Sequence, residues 1–209
     1  MFKILKNFLN NDVMHQVSSQ VYLGQKNILL YFTNNLYCQD YIQQTNYLKK
    51  MAKLLTNPNL VKILNKYDVR LFVGAPHIEK AWKHQTLCKN IFFVNDDFVS
   101  ASKEYMQMLV TDFSKLSLDF IASDRPIVFF QTNSEDKSFS AKITLANDKF
   151  SKHQNMLYNI CSSTKEVCNM ISVYVKKDFL LEESVKNKNL NLIAQMSSKN
   201  FETLSNLFY

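Results

Sequence analysis

The stretch from Met108 to Phe130 constrains the fold of this chain more than any other. Met108 to Val110 is a short apolar run suited to a buried strand, and Thr111 and Asp112 end it. Ser114 stands where a helix would begin, and Leu116, Phe120 and Ile121 then recur at helical spacing. Arg125-Pro126 closes that helix, because the residue before a proline avoids the α region. Ile127 to Phe130 is a second apolar run of strand type. A strand, a turn, a helix and another strand in so few residues form the repeating unit of a parallel sheet with crossover helices. Such sheets bind ligands beyond the carboxyl ends of their strands, where Thr111, Asp112 and Ser114 fall. The free N–H groups of a helix start, together with a serine hydroxyl, make that place an anion site.

The same residues resemble a known family. Thr111-Asp-Phe-Ser114, then Asp119-Phe120, then Arg125-Pro-Ile-Val-Phe-Phe130, is similar to the signature of the CDP-glycerol glycerophosphotransferases. These enzymes build teichoic-acid and related capsule polymers and have the two-domain GT-B architecture. Lys115 stands where the family has a second serine. The resemblance implies that the donor phosphates meet Ser114 and Lys115, and that Asp119, late in the helix, meets a ribose hydroxyl. For Asp119 a solvated helix acid is the plainer alternative.

The rest of the chain extends the pattern in order. Asn27 to Phe32 reads as the first strand, followed by Thr33-Asn-Asn35, where Asn35 replaces a family arginine that approaches the substrate phosphates. Residues 41–55 are helical by period. Asn57-Pro58 opens another helix, with Asn as N-cap and Pro in the first turn, running to about Tyr67. Val69 to Val73 reads as the second strand, and Gly74-Ala-Pro-His77 follows at its carboxyl end. Pro76-His77 matches the family's Pro-His element, whose histidine lies at the donor phosphates; alone, His77 would be a solvated loop residue. Ile91 to Val94 reads as the third strand, with Asn95-Asp-Asp97 as a turn and Ala101 to Gln107 as a short helix. Residues 131–149 read as a polar loop in which Asn133 replaces a frequent aspartate. Ser163 to Glu166 is a capping box opening a helix to Val175. Asp178 to Lys186 is read as the next helix, and residues 198–204 resemble the family's C-terminal motif in part.

Composition narrows the classes. The chain has 209 residues, with 16 Phe and 10 Tyr for a core and only 2 Gly and 3 Pro, which argues against a β-sandwich or a disordered chain. A formal charge of +7 fits a solvated basic surface, an anionic membrane surface or an anionic substrate. No dense Lys/Arg cluster points to nucleic acid. Cys38, Cys88, Cys161 and Cys168 lack metal-ligand spacing and read as reduced thiols. No stretch approaches the roughly 20 apolar residues of a spanning helix. Phe2 to Leu9 could form a short helix that docks on the domain, on a partner subunit or on a membrane surface.

The expectation is a single α/β Rossmann-like domain over residues 26–209, with a mainly parallel sheet, preceded by an appendage of residues 1–25. It corresponds to the C-terminal, nucleotide-binding half of a GT-B enzyme. The lack of a spanning segment and of a signal-peptide pattern leads to the expectation of a cytoplasmic protein. The basic charge and the 2–9 segment allow a peripheral contact at the inner face of the cell membrane. The resemblance implies that the protein binds a CDP-linked donor without cofactor or metal. The acceptor half, with its general base, would come from a partner subunit, and the catalytic residues are unassigned. The competing expectation is a non-catalytic remnant that serves as a nucleotide-binding or protein-interaction module.

Overall fold

The computed structural model describes residues 25–32, 49–74, 88–111, 114, 116–130 and 159–198. Six strands form one sheet: β1 (Lys26–Tyr31), β2 (Val69–Gly74), β3 (Ile91–Phe93), β4 (Met108–Thr111), β5 (Ile127–Phe130) and β6 (Asn159–Cys161). Every pairing is parallel, in the order β3-β2-β1-β4-β5-β6. The strands are continuous apolar runs rather than alternating ones, because helices cover both faces of the sheet. Ile28, Leu30, Val73, Val110 and Phe130 point into one core. Leu29, Phe72, Leu109, Ile127 and Phe129 point into the other.

The first face carries the helical residues 49–55, α1 (Pro58–Lys66) and α4 (Thr164–Lys176). The second carries α2 (Asp96–Ser102), a 3-10 turn over Lys103–Tyr105, and α3 (Leu116–Ala122), with α5 (Glu183–Ser198) packed on α3. Asn57 caps α1 by accepting from the Asn59 N–H at 2.9 Å, and Leu60 and Leu64, one turn apart, bury its inner face. Ser163 and Glu166 close the expected capping box at the start of α4.

Three expectations change. The short helix after β3 spans Asp96–Ser102, not residues 101–107. Asn95 caps it through the Phe98 N–H at 2.9 Å, and Asp96 and Asp97 sit at its positive end, so the acidic turn is itself the helix start. The last helix begins at Glu183 rather than Asp178, because Asp178 and Phe179 adopt φ of 53° and 60°, which ends α4 and cannot open another helix. Strand β6 was not expected at all. It is three residues long and pairs with β5 from Val128↔Asn159 to Phe130↔Cys161.

The helix ends show how a chain with 2 glycines terminates its helices. Asp68, Asp124 and Asp178 each occupy the left-handed position after a helix, at φ of 50°, 50° and 53°. After α3, Asp124 N–H donates to Ile121 O at 3.1 Å and Arg125 N–H to Phe120 O at 2.9 Å, the two bonds of a Schellman motif. After α4 the matching pair is Asp178 to Val175 and Phe179 to Tyr174. Glycine is the usual occupant there, since it has no Cβ to clash. Asp68→Gly is therefore expected to stabilise the protein by about 0.5–1 kcal/mol, the relief of left-handed strain less the added freedom of the unfolded chain. Urea denaturation measures it, and a loss of stability would contradict this account of the cap.

Candidate functional site

The sheet order reverses at β1, which is flanked by β2 on one side and β4 on the other. The connections leave the carboxyl ends of β1 and β4 toward opposite faces, so a crevice opens there. Tyr31 and Thr111 are register partners at those two ends.

Thr111 and Ser114 are both fully buried at this point. The Thr111 hydroxyl donates to the Tyr31 carbonyl across the strand pair. Its single proton is thereby used, so Ser114 Oγ, 3.1 Å away, is the donor to Thr111 Oγ1. The Ser114 carbonyl accepts from the Ser117 N–H at 3.0 Å and from Ser117 Oγ at 2.6 Å. Thr111, Ser114 and Ser117 thus join the end of β4 to the end of β1 and start α3. The Ser114 hydroxyl is directed into this network.

Tyr31 forms the neighbouring part of the rim. Its hydroxyl lies 3.2 Å from Asp96 Oδ1 and donates to it, and its ring covers the backbone of Gly74. A Cβ on Gly74 would stand 2.7 Å from Tyr31 Cδ2 and 3.0 Å from Val99 Cγ2. Tyr31, Gly74 and Asp96 were missed in the sequence. The available signal was Gly74, a glycine at a strand end in a chain that uses only 2.

Asp119 lies further down α3, away from the rim, and pairs with Lys103 Nζ at 2.6 Å. Both side chains are partly exposed, so the pair contributes about 0–1 kcal/mol. Arg125, from the same motif, faces the amino side. Its guanidinium stacks over the Phe120 ring, 4.0 Å from the centroid. It donates to Lys103 O at 2.6 Å and Met106 O at 2.9 Å, fixing the link into β4. Burial pulls its pKa below the usual value, opposed by Asp119 and Glu104. The structure therefore brings Thr111 and Ser114 together and sets Asp119 apart. His77, Asp112 and Lys115 lie outside the described residues, as do Asn35, Asn133 and the segments 2–9 and 199–204. Among the described residues no group of His, Cys, Asp or Glu could hold a metal ion.

The thiols Cys161 and Cys168 are buried beneath the first helical layer, and burial raises each to about 11.

No protein-family model and no curated protein matches the chain. Solved structures do. The glycosyltransferase SnogD from Streptomyces nogalater is similar over 84% of this chain and 40% of its own, at 12% identity and a TM-score of 0.47. A UDP-GlcNAc 2-epimerase from Methanocaldococcus jannaschii, in complex with UDP-GlcNAc and UDP, is similar over 95% of this chain and 52% of its own, at 12% identity and a TM-score of 0.46. A Neisseria meningitidis UDP-GlcNAc 2-epimerase bound to UDP-GlcNAc gives 93%, 52%, 11% and 0.44. The chain spans about half the length of these structures or less. None of the three is described as a CDP-glycerol glycerophosphotransferase.

Two outcomes follow from this geometry. Gly74→Ala should destabilise the fold by about 1–3 kcal/mol through overpacking against Tyr31, and Gly74→Ala with Tyr31→Ala should recover part of it; thermal melts of the single and double variants decide. The thiols set the alkaline limit. An ordinary thiol near 9.0 ionises in the unfolded chain while Cys161 and Cys168, at about 11, stay neutral in the fold. Their contribution is complete below pH 9 and is lost as pH rises toward 11. Denaturation midpoints at pH 8 and pH 10.5 should fall less in a Cys161→Ala/Cys168→Ala variant than in the parent.

Proposed function

We propose that this chain is the donor-binding half of a GT-B-type transferase that moves glycerol phosphate, or a related alditol phosphate, from a CDP-linked donor to a cell-surface polymer. One observation carries the reading: the Thr111–Ser114 segment of the family-like motif leaves β4 beside the end of β1, where the strand order reverses and a phosphate-bearing ligand is expected. In this reading the donor diphosphate lies over the start of α3, with His77 and Lys115 neutralising its charge. Thr111 and Ser114 act through the turn that they hold rather than by direct donation, since their hydroxyls bond inside the protein. Asp112, from the same motif, belongs to the donor-binding set in this reading. Asp119 is the weakest of the expected ligands, because Lys103 already engages it.

Transfer of this kind depends on holding the acceptor hydroxyl in line with the β-phosphate and on stabilising the charge that develops there. A general base on a second half, typically contributing ~10²–10⁴-fold, would complete the reaction. The alternative is a non-catalytic remnant acting as a nucleotide-binding or interaction module. The inward Ser114 hydroxyl and the replacement of a phosphate-binding arginine by Asn35 favour it.

Calorimetric titration with CMP, CDP-glycerol and UDP separates the readings. The cytidine ligands should bind, and His77→Ala/Lys115→Gln should weaken them at least tenfold, since each charge-assisted contact contributes roughly 1.5–3 kcal/mol. The thermal midpoint should not move in that variant, whereas Ser114→Ala should lower it. A parent chain that binds no nucleotide would leave the interaction module as the reading.

A further inference from the structure

The carboxyl rim continues beyond the crevice, on the side of β1 away from α3. The ends of β4 and β3 stand three strand spacings apart, about 14 Å, a span that an extended nucleoside diphosphate covers. Between them lie Tyr31 at the end of β1 and Gly74 at the end of β2. Val94 and Asp96 follow the end of β3. Tyr31 and Val94 are half-buried and form the apolar part of this stretch of rim. Asp96 is exposed beside it, and its Oδ1 accepts from the Tyr31 hydroxyl at 3.2 Å.

We infer that Asp96 selects the base of the donor, accepting the exocyclic amine of cytosine at Oδ2. The inference rests on the nucleotide reading above, in which the diphosphate lies over the start of α3. With the phosphates beyond β4, a nucleotide laid along the rim across β1 and β2 puts its base at the end of β3. The opposite direction, toward β6, ends at Ser162 and Ser163, whose N–H groups both donate to Glu166, at 2.7 and 3.2 Å. Cytosine carries an amine donor at the ring position where uracil carries a carbonyl acceptor. An ionised carboxylate has acceptors only, so it binds the amine and repels the carbonyl. The Tyr31 hydroxyl takes Oδ1 and holds the carboxylate at the rim, which leaves Oδ2 to the base. Tyr31 is thereby a positioning residue. The recognising group is this tethered side chain and not the helix end, where Asn95 Oδ1 already accepts the Phe98 N–H at 2.9 Å.

Calorimetric titration of the full chain with CMP and UMP, which carry the same phosphate, tests it. The parent should bind CMP about tenfold tighter than UMP or better, the effect of one charge-assisted hydrogen bond. Asp96→Asn keeps the shape of the side chain and adds an amide donor that uracil can accept. It should bring the two affinities within about threefold of each other. Tyr31→Phe, which removes the hydroxyl alone, should narrow the ratio in the same direction. His77→Ala/Lys115→Gln should weaken both nucleotides and leave their ratio unchanged, so loss of phosphate binding is read apart from loss of base choice. Thermal melts confirm that each variant folds. A parent chain that binds neither nucleotide overturns the nucleotide reading, and this inference with it. Binding of CMP without preference over UMP, or a preference that survives Asp96→Asn, overturns the inference alone.

Discussion

The amino end of β1 is held by one buried polar residue, and the sheet depends on it. Asn27 is completely buried. Its N–H donates to Gln107 Oε1 at 2.6 Å, its side-chain amide donates to Tyr105 O at 3.1 Å, and its carbonyl accepts from the Gln107 N–H at 2.9 Å. These bonds pin the segment that leads into β4 against the start of β1. From there Ile28↔Met108 to Tyr31↔Thr111 follow in register. A slip by one residue would turn every apolar side chain of β4 to the other core. A buried asparagine without these partners would be costly, so the central pair has one satisfactory register. Arg125 supports the same link from the next strand, through Lys103 O and Met106 O.

That clamp at the amino edge shapes the crevice at the carboxyl edge. Once β1 and β4 are aligned, Tyr31 and Thr111 end side by side, and the Thr111–Ser114–Ser117 network can form between them. Tyr31 then reaches across Gly74 to Asp96, tying the end of β1 to the start of α2. The rim is held by hydrogen bonds whose donors come from three different elements. These bonds fix the strand ends relative to one another at the reversal of the sheet order.

Conservative physical signals in the chain were informative where the determinant was local. The capping box at Ser163 and the Asn57-Pro58 helix start act within a few residues, and both formed as expected. The acidic run Asn95-Asp-Asp97 is not a turn ahead of a helix but the helix start itself, because an asparagine followed by two acids caps and begins a helix. Strand β6 escaped notice because a three-residue strand at the sheet edge carries no periodicity of its own and is defined by its pairing with β5.

The amino-acid sequence by itself determined strands β1 to β5 and the parallel class: short apolar runs separated by helical periods can bury both faces only with helices on each side. It also marked the end of a strand at Thr111 and the approach to a helix at Ser114. The tertiary structure alone decided the strand order, and with it where the reversal falls, because order depends on which runs meet across 80 residues of sequence, as Thr111 and Tyr31 do. It likewise decided that the Ser114 hydroxyl bonds to Thr111, and that Asp119 is held by Lys103. Those outcomes rest on side chains brought together by packing, and no local pattern encodes the direction in which a hydroxyl or a carboxylate will find its partner.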